Sequence, residues 1–483
     1  MQSKEHAVRI EGMEPSSVII IHPGSMNLRI GRATDKIPFT VIHGIARKKI
    51  AVRDTIHNPI LQCLPTRNVK TLAAMETSRR KASQMLRSSF MSNGERRLEY
   101  SEVMVARRNN NSRPIFLNYE PENFVEPTGD TVFGEEMFKI NPKYAYDIFF
   151  PIVNGRFNDD SCGFRRSFED TLCDLEDIWT HHINQLLDIS TADFKNYRVV
   201  LIIPDLFDLY YTKEVMSMVL LKMNFKACFL IQDHVAAAIC AGNMGNACVV
   251  DVGHKKTSIS CVADYISQPN TRIRYKYGGV QKLKEQYCHL NLDTSGCTTG
   301  TMMIKNPIRP VIQYQIQIGD EAMIAPLGMF DPTLMAIDMD DRNYVVREEP
   351  ELHGSYDNSF LFDRELQKPQ GLDKVIVQSI ERMNSEDLKQ KMYGNILLVG
   401  GGFKFPSACT WLKNKILLYA NQIDYDGDVQ VINSPGGLDP QIVTWKGAAW
   451  AGILERYSNN WVTREEWTTG SVQILKERAM FNW

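Results

Sequence analysis

The chain has 483 residues, a formal net charge of −2, 43% hydrophobic residues and 23% charged residues, the balance of a globular protein of roughly two to four domains. It is neither a uniformly basic nucleic-acid coat nor an acidic tail protein, and no stretch offers the ~18 consecutive apolar residues of a membrane span. Its ten cysteines include no C-x-x-C pair and read as reduced core thiols of a cytosolic or nuclear protein, and Met1 to Glu14 is polar and charged, with no apolar leader core.

Val18 to Arg32 reads as strand, turn and strand: a β-branched run, the turn His22-Pro-Gly-Ser25, and a second strand with polar residues interleaved. From Arg47 to Arg113, 15 Lys/Arg stand against 5 Asp/Glu, and the weak periodicity there predicts a long basic loop or partly disordered insertion. Order is expected again near Phe133. Phe168 to Ile189 then reads as a helix, with Phe168, Leu172, Leu175, Trp179, Ile183 and Leu186 at spacings of three and four and acidic residues in its first turn. A buried strand is predicted over Tyr197 to Pro204, a helix over Thr212 to Met223 and a strand over Ala227 to Ile231.

The first signature returns at Ala247 to Cys261, with the turn around Gly253. Glycine lets a backbone come close to an anion and present N–H groups to it, so two such turns facing each other would clamp a nucleotide's phosphates. The first turn lacks the carboxylate that phosphate chemistry wants, so the pair reads as built to hold rather than to hydrolyse. From Asp320 to Lys368, 12 Asp/Glu stand against 4 Lys/Arg, a second predicted charged loop. A third glycine signal follows at Asn395 to Pro406, a strand ending in Gly400, Gly401 and Gly402 and opening a helix over Ala408 to Leu418. That is a geometry for phosphate approach. Alternating strands and helices make the fold class α/β.

The order of the first hairpin, Ile178-Trp-Thr-His-His182, the second hairpin, Lys284-Glu-Gln-Tyr-Cys288, the three glycines, Trp445-Lys-Gly-Ala448 and Trp461-Val-Thr-Arg-Glu-Glu-Trp467 resembles the actin family. Outside the two charged insertions, the resemblance runs from about residue 17 to the end. Ile21-His-Pro-Gly-Ser25, Leu28 to Asp35, Met91-Ser-Asn-Gly94, Gly371-Leu-Asp-Lys374 and the ending Leu475 to Trp483 narrow it to an actin-related branch. It implies an actin-like fold of two RNase H-like halves around a nucleotide cleft. Residues 1–16 would be a flexible N-terminus. A first half would span 17–190 with a basic insertion at 47–113, and a second half 191–400 with an acidic insertion at 320–368. Residues 401–483 would return to the first half. After Gly279 the chain reaches Lys284 almost at once, where the family has a few dozen more residues, which implies a truncated small lobe in the second half.

The resemblance further implies a non-catalytic, ATP-binding nuclear subunit of the INO-eighty type chromatin-remodelling complex. Such a subunit sits with actin and another actin-related protein on a helical segment of the remodeller ATPase, and engages nucleosomes and linker DNA in transcription regulation, DNA repair and recombination. Residue by residue, it places Gly24, Ser25, Met26 and Arg29 of the first loop against nucleotide, with His22 where the family has an Asp. In the second loop it places Asp251, Val252, Gly253 and His254, with Asp251 as an indirect Mg²⁺ partner. Lys284 and Glu285 would stand on the adenine side, and Gly401, Gly402 and Phe405 near the α-phosphate and base. The family's water-positioning glutamine aligns with Asp233 or His234. Lys255 and Lys256 make the second loop cationic, favouring phosphate and weakening metal organisation. Arg79, Arg80, Lys81, Arg96 and Arg97 are DNA-contact candidates by charge. Two other readings compete: an active ATPase or small-molecule kinase of the same superfamily, against which His22 argues, and a filament-forming actin homologue, against which the insertions and the tail argue.

Overall fold

The structure, a computed structural model, describes residues 13–49, 69–87, 89–97, 108–109, 111–113, 115–116, 125–141, 144–153, 155–158, 167–205, 207–242, 245–275, 288–294, 298–306, 309–335, 370–423 and 425–481. Two sheets of like topology organise it. In the first, the antiparallel hairpin Val18–Pro23 and Asn27–Arg32 continues to Phe39–Ile42 on one side. On the other side Arg198–Ile203 and Ala227–Gln232 add in parallel. In the second, the hairpin Ala247–Val252 and Thr257–Ala263 is extended by Ile396–Val399 and Val431–Ile432, again in parallel. The repeat seen in the sequence is therefore a repeat of sheet order as well as of turns.

The central strands read as unbroken apolar runs because both faces of each sheet are covered. Val18 and Ile20 point into a core shared with Val249, Leu397 and Val399 of the second sheet, whereas Ile19 and Ile21 point into an outer core with Leu175, Trp179 and Ile183. Cys248, Val250, Ile396 and Leu398 likewise face an outer core on the second half. Helices Asp233–Ala241 and Val443–Ile453 fill the space between the sheets. They cross so closely at Gly447 that a Cβ there would stand 1.7 Å from the Ala236 carbonyl oxygen.

The helix predicted from the Phe168 periodicity spans Phe168–Leu187, started by a capping box between Ser167 and Asp170 and ended by Asp188 in the left-handed region. The helix predicted over Thr212 to Met223 is Leu209–Ser217, followed by one wide turn, Met218–Lys222. The half boundaries differ from those expected. Strands Arg198–Ile203 and Ala227–Gln232 hydrogen-bond to the first hairpin, so the first half runs past 190 through the helix ending at Ala241. Helix Ala408–Ala420 and strand Val431–Ile432 pack with the second sheet. The return to the first half comes with Val443–Ile453 and Val462–Thr463, which pairs with Ala227 and Cys228.

The basic insertion departs furthest from expectation. Val69–Arg87 is a helix, not a loop. Ala82 and Leu86 are buried with Met323, Leu327 and Leu334, in the outer core of the second half. The segment is thus a strap: the chain leaves the first half after Lys49, docks on the second half, and returns to the first by Thr131–Phe133, which pairs with Ile45–Arg47. Its charges meet the start of the acidic stretch. Arg97 Nη1 lies 2.6 Å from Asp320 Oδ1, the two side chains 4% and 6% exposed. Arg79 reaches Glu321 and Lys81 reaches Asp331, while Ser78 Oγ donates to the Thr333 carbonyl. Residues 319–335 accordingly form a helix, Glu321–Leu327, and a turn, Pro332–Met335, within the fold. Residues 336–368 of the predicted acidic loop lie outside the described residues.

Candidate nucleotide cleft

The first loop is shaped by its own turn. Gly24 N–H donates to the Asn27 carbonyl at 3.0 Å, and a Cβ on Gly24 would sit 2.7 Å from that oxygen. His43 fixes the loop from behind: its Nδ1 donates to the Gly24 carbonyl at 2.7 Å, while its Nε2 accepts from Trp179 Nε1 at 3.3 Å. That pair of bonds sets a neutral tautomer, and burial holds the His43 pKa down at about 4. Ser25 Oγ accepts from Gly155 N–H at 3.4 Å. Arg29 lies opposite His22 in the hairpin register, with its Nη2 3.3 Å from Gln441 Oε1. Burial draws the His22 pKa down to about 3, and Arg29 and Lys256 push the same way. The imidazole is neutral, and its Nδ1 has no hydrogen-bond partner.

In the second loop, Gly253 N–H donates to the Lys256 carbonyl at 2.8 Å, closing the turn from strand to strand. This turn aims Lys256 at two carboxylates: its Nζ lies 2.7 Å from Asp233 Oδ2 and 3.1 Å from Asp251 Oδ2. Burial alone would lower the lysine pKa, but the two carboxylates outweigh it and the pKa is raised. Burial would raise the Asp233 pKa; the Lys256 ammonium instead holds it well below the ordinary carboxylate range. Asp233 is the first residue of its helix, and its other oxygen accepts from His234 N–H at 2.9 Å. His254 is drawn below its ordinary pKa by burial, then by Lys255.

The third loop closes against the second. Gly400 takes φ +87°, and a Cβ there would stand 2.4 Å from the Val252 carbonyl oxygen. Gly402 N–H donates to that same oxygen at 2.6 Å, and Gly401 lies against the Gln441 side chain. Gly400 and Gly402 are needed because two backbones meet here with no room for side chains between them.

The comparisons with known proteins agree with this geometry. A family model described as Actin matches residues 280–480. Actin-related protein 8 of Aedes aegypti is 32% identical, over 98% of this chain and 99% of its own. The chain belongs to the actin-related protein 8 family. The Salmo salar member is 29% identical, over 98% of this chain and 93% of its own. Among solved structures, human Arp8 in its ATP-bound state superposes with a TM-score of 0.87 at 32% identity, covering 98% of both chains. The Aedes aegypti alignment runs over 559 positions, more than the 483 residues present, so that relative carries segments this chain lacks.

Gly24, Ser25, Met26, Gly253, His254, Gly401 and Gly402 lie on the three loops, while Arg29, Asp251 and Val252 stand on the strands that flank the first two. Three of the glycine N–H groups, those of Gly24, Gly253 and Gly402, are spent on closing those loops and do not face outward as donors. Phe405 is buried in the outer core of the second half beside Phe403, centroids 4.8 Å apart. Lys284 and Glu285 lie outside the described residues. Of the two residues aligned with the glutamine, Asp233 faces the cleft. His234 is fully buried, its ring nitrogens 2.6 and 3.0 Å from the hydroxyls of Ser260 and Ser258. Lys256 and Gln441 are the residues sequence reasoning undervalued. The cationic character of Lys256 was legible, but its seat on Asp233 was not. Of the five DNA-contact candidates, Arg97 is buried in its ion pair, and Arg79 and Lys81 are committed to the strap. Arg80, paired with Glu76 one turn away, and Arg96 are exposed.

Proposed function

We propose that this chain is an ATP-holding, non-hydrolysing actin-related subunit of a nuclear chromatin-remodelling assembly of the INO-eighty type. The observation that carries this reading is the state of the cleft. Asp233 and Asp251 are both held by one buried lysine, and position 22 holds a neutral histidine. Phosphoryl hydrolysis needs a residue that positions and deprotonates water. A carboxylate tied to an ammonium and held far below the ordinary range is a poor base. Arg29 and Lys256 instead supply positive charge for a phosphate chain. The human relative is known in an ATP-bound state, which supports the choice of nucleotide.

In this reading the partners are the helical segment of the remodeller ATPase, actin, a second actin-related protein, and nucleosomes with linker DNA. The DNA-facing charge is that of Arg80 and Arg96, since Arg79, Lys81 and Arg97 are engaged within the chain. Two measurements test the proposal. Nucleotide extracted from the purified protein should be ATP rather than ADP, with no phosphate released on incubation; steady turnover would make the chain an ATPase. Charge reversal at Arg80 and Arg96 should weaken linker-DNA binding and flatten its salt dependence. Unchanged affinity would remove the DNA role from this segment.

A further inference from the structure

We infer that the cleft binds adenine nucleotide without a divalent cation, the Lys256 ammonium standing between Asp233 and Asp251 where such an ion would otherwise be drawn. The inference rests on the nucleotide-holding reading above and concerns what replaces the metal in it.

Mg²⁺ in nucleotide sites is held by one or two carboxylates together with phosphate oxygens and several waters, in near-octahedral geometry. The carboxylates beside the second loop are Asp233 and Asp251; Asp439, which faces Arg29, is paired with Lys404 at 2.7 Å. Lys256 Nζ reaches both, at 2.7 and 3.1 Å, and its side chain is only 11% exposed. Its stem is pinned from the opposite half. Gly155, at φ +76°, lies so close that a Cβ there would stand 2.7 Å from Lys256 Cδ, and the same Gly155 donates its N–H to Ser25 of the first loop. A dication would have to expel an ammonium from a buried double ion pair or sit beside it as a like charge. His22 offers no compensation, being uncharged and a soft ligand for so hard an ion.

Another grouping of metal-ligating side chains among the described residues, Asp205, Asp233 and His234, is also closed. Both His234 nitrogens are taken by serine hydroxyls, and Asp233 is taken by Lys256. The cations the loops do provide are fixed ones. An ammonium has three donors; two of those on Lys256 meet the carboxylates, leaving the third for a phosphate oxygen. Arg29 supplies a second cation across the hairpin register. The positive charge that a metal brings with the nucleotide is here built into the chain.

The test is calorimetric titration of ATP into the full chain, stripped of nucleotide, in EDTA and in excess Mg²⁺. The expected dissociation constant in EDTA is within about threefold of that in Mg²⁺, or tighter; a loss of tenfold or more on removing Mg²⁺ overturns the inference while leaving ATP binding itself intact. Absence of binding in both buffers overturns the nucleotide reading and this inference with it. Lys256→Gln should weaken ATP binding in EDTA by about tenfold or more and make it Mg²⁺-dependent, because Asp233 and Asp251 are then free to hold the ion. Lys256→Arg should restore metal-independent binding. A folded Lys256→Gln protein that still binds ATP equally in both buffers also overturns the inference. If that variant does not fold, the two titrations of the unaltered chain decide alone.

Discussion

Arg97→Ala removes one member of a buried ion pair and leaves Asp320 charged and enclosed. The two side chains are 4% and 6% exposed and meet at 2.6 Å; Arg97 Nη2 also donates to the Thr294 carbonyl at 3.0 Å. Breaking such a pair from one side costs about 3–5 kcal/mol, whereas replacing both partners with apolar groups of similar volume is often neutral or better. The pair fastens the strap rather than the sheets, so the loss falls first on local opening of Val69–Arg87. Amide hydrogen exchange in that helix should accelerate by roughly a hundredfold to several thousandfold, at about tenfold per 1.4 kcal/mol, while the strands of the two sheets keep their protection. Arg97→Met with Asp320→Leu should return the helix to within about 1 kcal/mol of its original protection. Unchanged exchange in Arg97→Ala, or a double variant worse than the single, would refute the assignment of this pair as the fastening of the strap.

Three further outcomes are expected. The folded-state pKa of His43 lies near 4 against an ordinary 6.5, so the folded chain binds fewer protons than the unfolded one between those values. The stability this contributes is present above pH 6.5 and lost as pH falls; by pH 5 the loss is about 2 kcal/mol, and urea midpoints of His43→Gln should show a correspondingly flatter acid limb. Gly447→Ala places a methyl 1.7 Å from the Ala236 carbonyl oxygen; forcing the two central helices apart should cost about 3 kcal/mol or more, read as a lowered denaturation midpoint. A midpoint within error of the original would show that this crossing yields easily. Ser167→Ala removes the exposed capping box of Phe168–Leu187 and should cost only about 1 kcal/mol, with ATP affinity unaltered; altered affinity would couple this helix to the cleft.

What the sequence made legible is what local pattern determines. The strands of both sheets announce themselves as apolar runs because each has two buried faces, and the Phe168–Leu187 helix does so through one face spaced at three and four residues with its cap in place. The matched hairpins gave the actin-like repeat. Where contacts are distant in sequence, pattern gave less. The strap helix buries Ala82 and Leu86 on the second half, and its fastening joins residues 223 apart. Strands Arg198–Ile203 and Ala227–Gln232 fall in the first half because of parallel pairing partners that no local feature names, which is why the half boundary near 190 was misplaced. Phe405 was placed near the base by the family resemblance alone. Two aromatics two residues apart gave no sign of which one the core would take, and it took both.

The two departures from the actin cleft pattern, His22 and the cationic second loop, are linked by charge. A carboxylate at position 22 would make a third acid beside Asp233 and Asp251, a set suited to a hydrated dication. With His22 in its place, the set is reduced to two acids, and one fixed lysine satisfies both. Burial foremost, then Arg29 and more weakly Lys256, keeps His22 neutral, since an imidazolium there would add a third buried cation. A neutral residue at position 22 thus leaves Lys256 enough to pair with the two acids beside it. The strap acts in the same direction: it ties the first half to the second at Asp320, Glu321 and Asp331, which opposes relative motion of the two halves. A cleft with a fixed cation, no free base and tethered walls is suited to keeping its nucleotide as part of the fold, where ligand binding adds to stability by mass action rather than driving a cycle.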